Sequence, residues 1–248
     1  MSQLNFCAPI RICGVGDATT AIQVNPLYKQ MIRSSGLGTL MLVAAVFIPA
    51  GTLNYWQGWA YLGTFFFAST LYTIYLVNHD PALLQRRQQA GPSHEKEPAQ
   101  KIIVLFIIAA FFALIALPPL DHRFGWSPVP WSVSVMGNAL VALSFWLFYL
   151  VSKVNTYAAA NVRVEEGQRV IDTGVYGLVR HPMYFGTLFL IVGTPLALGS
   201  WWTLLLTPVF LLLLYFRLAS EEKVLMRDLV GYTDYQRKVR YRLIPFVW

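Results

Sequence analysis

The sequence predicts an all-α fold, a polytopic helical bundle embedded in a membrane. The first observation is composition. Apolar residues make up 56% of the 248 residues and charged residues only 12%, whereas an average soluble domain is roughly 45–50% apolar and about 25% charged. A soluble protein of this size would lack the charged surface that keeps it dissolved. An ordinary cytosolic enzyme and a disordered chain are therefore both excluded.

The second observation is six apolar segments that approach or reach the roughly 20 residues a helix needs to cross a bilayer. None contains Asp, Glu, Lys, Arg or His, as expected because a charge at the bilayer centre costs at least ~2.5–3.5 kcal/mol. The last two segments are connected only by a Gly199-Ser200 turn. They could form two short spans or a helical hairpin that enters and leaves the same face of the membrane. The segments are 37–53, 59–77, 102–120, 131–152, 183–199 and 201–216.

The basic residues predict the topology. With six crossings, eighteen of the nineteen Lys and Arg residues fall on one side, and only Arg123 falls on the other. Because cytoplasmic loops carry the excess of Lys and Arg, both termini are expected in the cytoplasm, and a hairpin gives the same result. The net charge of +7 is then explained by loops beside anionic headgroups, and no nucleic-acid partner is expected.

The chain divides into a cytoplasmic leader at 1–36, four transmembrane helices with their loops at 37–152, and a catalytic region at 153–248. The leader lacks the apolar core of a signal peptide. Its two cysteines are too few for a zinc site, and no metal is expected. The loop after the second segment contains Asp80-Pro81, a typical helix start, and a short amphipathic piece, ALLQRRQ.

The candidate functional residues, which are polar or ionisable, cluster in the last third of the chain. The first cluster is YGLVRHPMYFG at 176–186. Arg180 and His181 precede a proline suited to the first turn of a helix, whose free N–H groups attract anions. Tyr184 follows His181 by three residues, on the same helix side, and Gly186 permits close approach to the backbone. A functional site and an interfacial anchor explain this spacing equally well.

Two further clusters follow. In RLASEE at 217–222, Glu221 is placed to pair with Arg217, which would leave Glu222 free for a cation or hydroxyl groups. The alternative is a solvated helix end with a weak surface ion pair. The tail at 231–246, GYTDYQRKVRYRLIPF, alternates aromatic and basic residues, which suit lipid headgroups or an anionic substrate.

In this order the three clusters resemble one family. A Tyr-x-Leu-Val-Arg-His-Pro-x-Tyr-x-Gly run, an apolar hairpin, a Glu-Glu pair and a Tyr-x-x-Tyr-x-x-basic-Val tail ending in Pro-Phe are similar to the isoprenylcysteine carboxyl methyltransferases, most of all their bacterial branch, and to the related phospholipid methyltransferases. The resemblance covers about 155–248. It implies methyl transfer from S-adenosyl-L-methionine at the face of a bacterial inner membrane.

The resemblance also implies residue roles. Lys238 stands where many members have Arg, so it keeps the charge but loses the bidentate fork, and Arg237 or Arg240 could position a carboxylate instead. The expected catalytic residues are Arg180, Glu222, Lys238 and Arg240. The expected cofactor site comprises Tyr176, Arg180, His181, Pro182, Tyr184, Gly186, Glu221, Glu222 and Tyr235.

The acceptor is expected to be lipidic or prenylated, beside membrane lipids. A carboxylate is ionised at pH 7 and needs no base, only alignment and desolvation. An amine must lose a proton, for which His181 or a Glu is placed. Carboxyl methylation of an isoprenylcysteine-like acid is the first expectation, and N-methylation of a phospholipid amine is the alternative. A non-catalytic scaffold remains open, as does a small transporter, although no span carries the ionisable residue that coupled transport usually needs.

Overall fold

The structure is a computed structural model that describes residues 26–248 except 89, 90, 96, 159, 160, 163 and 166, and only the backbone of 26–35. The described residues form α-helices and short 3-10 turns and no strand, which confirms the all-α prediction. Most of the predicted leader lies outside the described residues. The helices are α1 (Pro26–Ala50), α2 (Trp56–His79), α3 (Pro81–Gln88), α4 (Pro98–Phe124), α5 (Trp131–Val154), α6 (Pro182–Ala197), α7 (Thr207–Asp228) and α8 (Tyr232–Lys238).

The chain divides into two compact units, Met1–Ala44 and Ala45–Trp248. In the first unit the described residues belong to α1. The second unit contains the other seven described helices and all three clusters that the sequence singled out. The description that follows concerns the second unit.

Four described helical stretches are long and apolar enough to cross a membrane: α2, α4, α5 and Trp202–Asp228, which joins a 3-10 turn to α7. Two shorter apolar helices occupy Gly36–Ala50 and α6. The polytopic membrane bundle is thereby confirmed, with the predicted first and fifth segments as its short members. At 16 residues, α6 is about 24 Å long and shorter than the ~30 Å hydrocarbon core.

The closest helix pair is α5 with α6, and glycines make this closeness possible. A Cβ on Gly137 of α5 would lie 2.2 Å from the backbone nitrogen of Ala197, and one on Gly193 of α6 would lie 2.9 Å from the carbonyl oxygen of Gly137. Small residues let the backbones of membrane helices approach in this way. The α5–α6 pair therefore fixes the position of the α6 N-terminus, where Arg180 and His181 lie.

The tail after α8 folds back onto the segment that precedes α6. The backbone N–H groups of Arg180 and His181 donate to the carbonyl groups of Tyr241 and Arg242, each at 2.9 Å. A small apolar cluster of Leu229, Tyr232, Tyr235 and Val239 packs α8 against the end of α7. All three sequence clusters therefore meet at one end of the bundle.

Candidate active site

A cavity of about 290 Å³ opens where the three clusters meet. Its volume is close to the lower end of the range for ligand pockets, about 300 Å³. Its walls are the segment before α6, the first turn of α6, the C-terminal half of α7 and helix α8. Of the predicted site residues, those that line the cavity are Tyr176, Arg180, His181, Pro182, Tyr184, Glu221 and Tyr235.

Glu222 is the centre of a buried ionic cluster rather than a free ligand. Its Oε1 accepts from Arg180 Nε at 2.7 Å and lies 3.3 Å from His181 Nε2, while its Oε2 lies 2.9 Å from Nη2 of Arg242. The side chain is only 2% exposed, and Glu222 is not among the described residues that line the cavity. The expectation that Glu222 is free for a cation or hydroxyl groups is therefore wrong, because three basic side chains already surround it.

Glu221 is the carboxylate that faces the cavity. Its Oε2 accepts from the hydroxyl of Tyr184 at 2.7 Å, and that hydroxyl accepts in turn from Arg217 Nε at 2.9 Å. The Tyr184 hydroxyl thus bridges the predicted pair of Arg217 and Glu221. His181 Nδ1 lies 3.9 Å from Glu221 Oε1, so His181 stands between the two glutamates.

A second buried network connects Arg217 to the start of α4 and to the loop that precedes it. Arg217 donates from Nη1 to Gln100 Oε1 at 2.8 Å and from Nη2 to Glu95 Oε1 at 3.0 Å. Glu95 and Gln100 are 3% and 0% exposed. Sequence reasoning missed both, because Glu95 lies in a polar loop of mixed charge and Gln100 lies in the first turn of an apolar helix.

The aromatic wall of the cavity is held by hydrogen bonds. Tyr235 donates from its hydroxyl to the carbonyl of Tyr176 at 2.8 Å, and Asn155 Nδ2 donates to the Tyr176 hydroxyl at 2.7 Å. Burial raises the pKa of both phenols above the ordinary value, so these rings are neutral at physiological pH. The hydroxyl of Tyr232 is buried and has no hydrogen-bond partner within the described ranges, although this residue lines the cavity.

Two predicted catalytic residues, Lys238 and Arg240, and a third basic residue of the tail lie outside the described lining of the cavity. Lys238 is exposed and donates from Nζ to Asp172, and this hydrogen bond lowers the pKa of the Asp172 carboxyl. Arg240 is exposed, and its backbone carbonyl accepts from Arg180 Nη1 at 2.8 Å. Arg242, which sequence reasoning did not select, is the basic residue of the tail that reaches the glutamate pair. None of the three is among the described lining residues.

Gly186 also differs from its predicted role. A Cβ at Gly186 would lie 2.9 Å from the ring of Phe148 and 3.3 Å from Leu147 Cβ. The close neighbour that this glycine admits is therefore helix α5, not a ligand. Like the three residues above, it is absent from the described lining of the cavity.

The lining fits the chemistry of S-adenosyl-L-methionine, which carries a sulfonium, an ammonium and a carboxylate. Glu221 offers a carboxylate for a cation or hydroxyl groups, and Arg180 offers a guanidinium for a carboxylate. Neutral phenol rings attract cations to their faces. The buried Tyr232 hydroxyl gains a partner if a ligand fills the cavity, since buried polar groups are normally hydrogen-bonded.

A comparison with known protein families matches this part of the chain. Residues 132–231 match the family model of the phospholipid methyltransferases, a membrane methyltransferase family related to the isoprenylcysteine methyltransferases. No curated protein matches the chain. The match runs from α5 through the end of α7 and includes most of the cavity lining. The region that forms the candidate site is therefore similar to the membrane methyltransferases.

Proposed function

We propose that the protein is an S-adenosyl-L-methionine-dependent membrane methyltransferase that methylates the carboxyl group of a lipidic, isoprenylcysteine-like acceptor. One observation carries the proposal. A carboxylate, a guanidinium and several phenol rings surround one cavity at the end of an apolar bundle, inside the region that matches a methyltransferase family.

Two charged residues would hold the cofactor, which when bound supplies a methyl group on a positively charged sulfur. Glu221 would bind the ribose hydroxyls or the ammonium. Arg180 would bind the cofactor carboxylate through Nη2. Its Nε and Nη1 already contact Glu222 and two backbone carbonyls. Its Nη2 has no hydrogen-bond partner in the part of the chain that the structure describes.

The arrangement of the ionisable groups favours an acceptor that is already an anion. Nε2 of His181 lies 3.3 Å from the Glu222 carboxylate, and since a carboxylate only accepts, that nitrogen carries a hydrogen. Glu221 accepts from Tyr184. Both groups are thus engaged with protein partners. A carboxylate acceptor, ionised at pH 7, requires only alignment and exclusion of water.

The second candidate is N-methylation of a phospholipid amine, and the phospholipid methyltransferase match favours it. The ammonium of such an acceptor must lose a proton before it attacks. In this case Glu221, which lines the cavity, would receive the proton. Under either proposal the cofactor enters from the cytoplasm and the acceptor enters between helices of a bacterial inner membrane, with both termini cytoplasmic.

The proposal is tested by transfer of a labelled methyl group in purified protein. The acceptors are an S-farnesylcysteine analogue, phosphatidylethanolamine and total membrane lipid, each with labelled cofactor. We expect label on the farnesylcysteine analogue that is released by mild base, as an ester is. Base-stable label on phosphatidylethanolamine would instead establish the amine reaction. Absence of label from all three acceptors, with calorimetry showing no cofactor binding, would point to a scaffold or transporter.

A further inference from the structure

Arg87 is a half-buried arginine whose charge has no carboxylate partner in the described ranges. It lies in the last turn of α3. Its guanidinium carbon lies 5.3 Å from the centre of the Tyr72 ring, and its Nη2 donates to Met183 Sδ at 3.4 Å. Its Nε is buried and has no hydrogen-bond partner among the described residues. A thioether is a weak acceptor, so the buried Nε–H lacks a partner among the described residues and Nη2 has a weak one.

The two fully buried arginines among the described residues, by contrast, each have a carboxylate partner. Arg180 pairs with Glu222 and Arg217 pairs with Glu95. A buried cation without an anion costs free energy, and burial lowers the pKa of the Arg87 guanidinium, although an arginine side chain keeps its charge. Arg87 therefore differs from these two arginines, because it has no carboxylate partner among the described residues.

The position of Arg87 indicates where such an anion would come from. On one side lies Met183, which lines the cavity. On the other side lies Tyr72 of α2, whose hydroxyl is 2.7 Å from Ser152 Oγ of α5. Tyr72 precedes the last residue of α2, His79, by seven positions, which is about 10 Å along the helix axis. The guanidinium thus lies between the cavity and two apolar spans, below the cytoplasmic end of α2.

We propose that Arg87 binds the anionic group of the methyl acceptor, a carboxylate or a phosphate on an amphiphile whose apolar part lies along the spans. This inference rests on the proposed function. A planar guanidinium recognises both groups through two parallel hydrogen bonds. The cofactor has its own charged partners, Arg180 and Glu221, inside the cavity. Arg87 is outside the described lining and behind Met183, on the side of the apolar helices.

The experiment measures binding, without turnover, in a nonionic detergent that supplies no competing anion. One pair of ligands is an S-farnesylcysteine with a free carboxylate and its uncharged methyl ester. The other pair is a short-chain phosphatidylethanolamine and the corresponding diacylglycerol. The variants are Arg87→Gln, which removes the charge, and Arg87→Lys, which keeps it without the fork. The control is Arg227→Gln, because the Arg227 side chain is 62% exposed.

We expect the wild-type protein to bind the member that carries the anionic group in at least one pair about tenfold more tightly or better, as for a hydrogen bond to a charged group. Arg87→Gln should abolish the difference, Arg87→Lys should keep part of it, and Arg227→Gln should keep it all. Preference for the acid over its ester identifies the carboxylate as the source. Preference for phosphatidylethanolamine over diacylglycerol identifies the phosphate when Arg87→Gln abolishes that preference.

Three results would overturn the inference. The first is equal affinity for both members of both pairs in the wild type. The second is a preference for the anionic group that survives in Arg87→Gln. The third is a loss of S-adenosyl-L-methionine affinity in Arg87→Gln that is as large as the loss of acceptor affinity. If Arg87→Gln fails to fold, equal affinity of the wild-type protein for both members of each pair would still overturn the inference. Because no methyl transfer is needed, preference for the anion without transfer would count against the proposed function and not against this role of Arg87.

Discussion

At the scale of single residues, the adjacent glutamates of α7 have separate tasks. Neighbouring side chains on a helix point about 100° apart, so the two carboxylates face different surroundings. Glu221 faces the cavity and accepts from Tyr184. Glu222 faces the protein interior and receives Arg180, His181 and Arg242. The first is placed to bind a ligand, and the second is placed to hold three segments of the chain together.

This division predicts opposite effects for two equivalent substitutions. Glu221→Gln should weaken the affinity for S-adenosyl-L-methionine about tenfold or more and leave thermal unfolding nearly unchanged. Glu222→Gln should destabilise the protein by on the order of 3 kcal/mol, because it leaves buried cations without their anion. Calorimetric titration and thermal unfolding in detergent measure the two quantities.

Glu97→Gln is the matched control, because this glutamate is partly exposed and its side chain contacts a surface arginine, Arg227, rather than the buried clusters. It should change neither quantity. If Glu222→Gln unfolded like the wild type and lost only cofactor affinity, the assignment of the two carboxylates would be reversed.

Local spacing explains which site residues the sequence could predict. The helix start at Arg180-His181-Pro182 and the contact of His181 with Tyr184 follow from neighbouring positions, and the structure contains both. The partners of Glu222 do not follow, because Arg242 reaches it only after the chain has turned through α8. Glu95 lies more than a hundred positions before Arg217, and that distance is closed by the packing of α4 on α7.

At the scale of helices, the contact of α5 with α6 depends on missing side chains. A Cβ at Gly137 would lie 2.7 Å from the carbonyl carbon of Leu196 and closer still to the next nitrogen. Both neighbours are backbone atoms, so no rotation of a side chain can relieve the overlap. The helices must separate, and α6 must then carry Arg180 and His181 away from α7.

Gly137→Ala should therefore lower the stability of the protein, by about 1–3 kcal/mol as for other overpacked interiors, and should weaken cofactor binding as well. Gly63→Ala on α2 is the control, because a Cβ there meets nothing within 4 Å. That substitution should leave stability the same or raise it slightly, since alanine favours a helix over glycine. Equal unfolding temperatures for the two variants would contradict this account of the α5–α6 contact.

The helices themselves were more predictable than their contacts. Segments without charges marked the spans, and Asp80-Pro81 marked the start of α3, where Asp80 Oδ1 accepts from the backbone of Leu83 at 2.9 Å. Helix α8 was not foreseen, because its seven residues are mostly polar and its two buried tyrosines, Tyr232 and Tyr235, pack in a cluster with residues outside the helix. The length of an apolar segment can be read directly from the sequence, whereas the packing of a polar helix depends on the surface that it contacts.

At the scale of the whole molecule, the charge distribution predicts a definite orientation. The cavity and the basic tail lie at one end of the bundle, and Arg123, in the last turn of α4, is the only Lys or Arg in 102–152. We expect the loop between α4 and α5 outside the cytoplasm and the tail inside. With Cys7 and Cys13 replaced by Ser, Pro128→Cys should react with an impermeant maleimide on intact cells.

Thr233→Cys on the exposed face of α8 should react with the same reagent only after the cells are permeabilised. It is the matched position for the opposite side of the membrane. Labelling of Thr233→Cys in intact cells would reverse the orientation and place the cavity outside the compartment that holds S-adenosyl-L-methionine.

The three cations around Glu222 have a consequence for biosynthesis. The ribosome makes Arg180 and His181 before Glu222, but it makes Arg242 twenty residues later, about one to four seconds at 5–20 residues per second. Glu222 is buried only in the folded protein, so a chain that ends before Arg242 would fold without one of the counter-ions of this carboxylate. A nascent chain that stops between these positions therefore has two of the three cations that surround Glu222 in the folded protein. Such a premature product should be recognised by quality-control proteases before it accumulates.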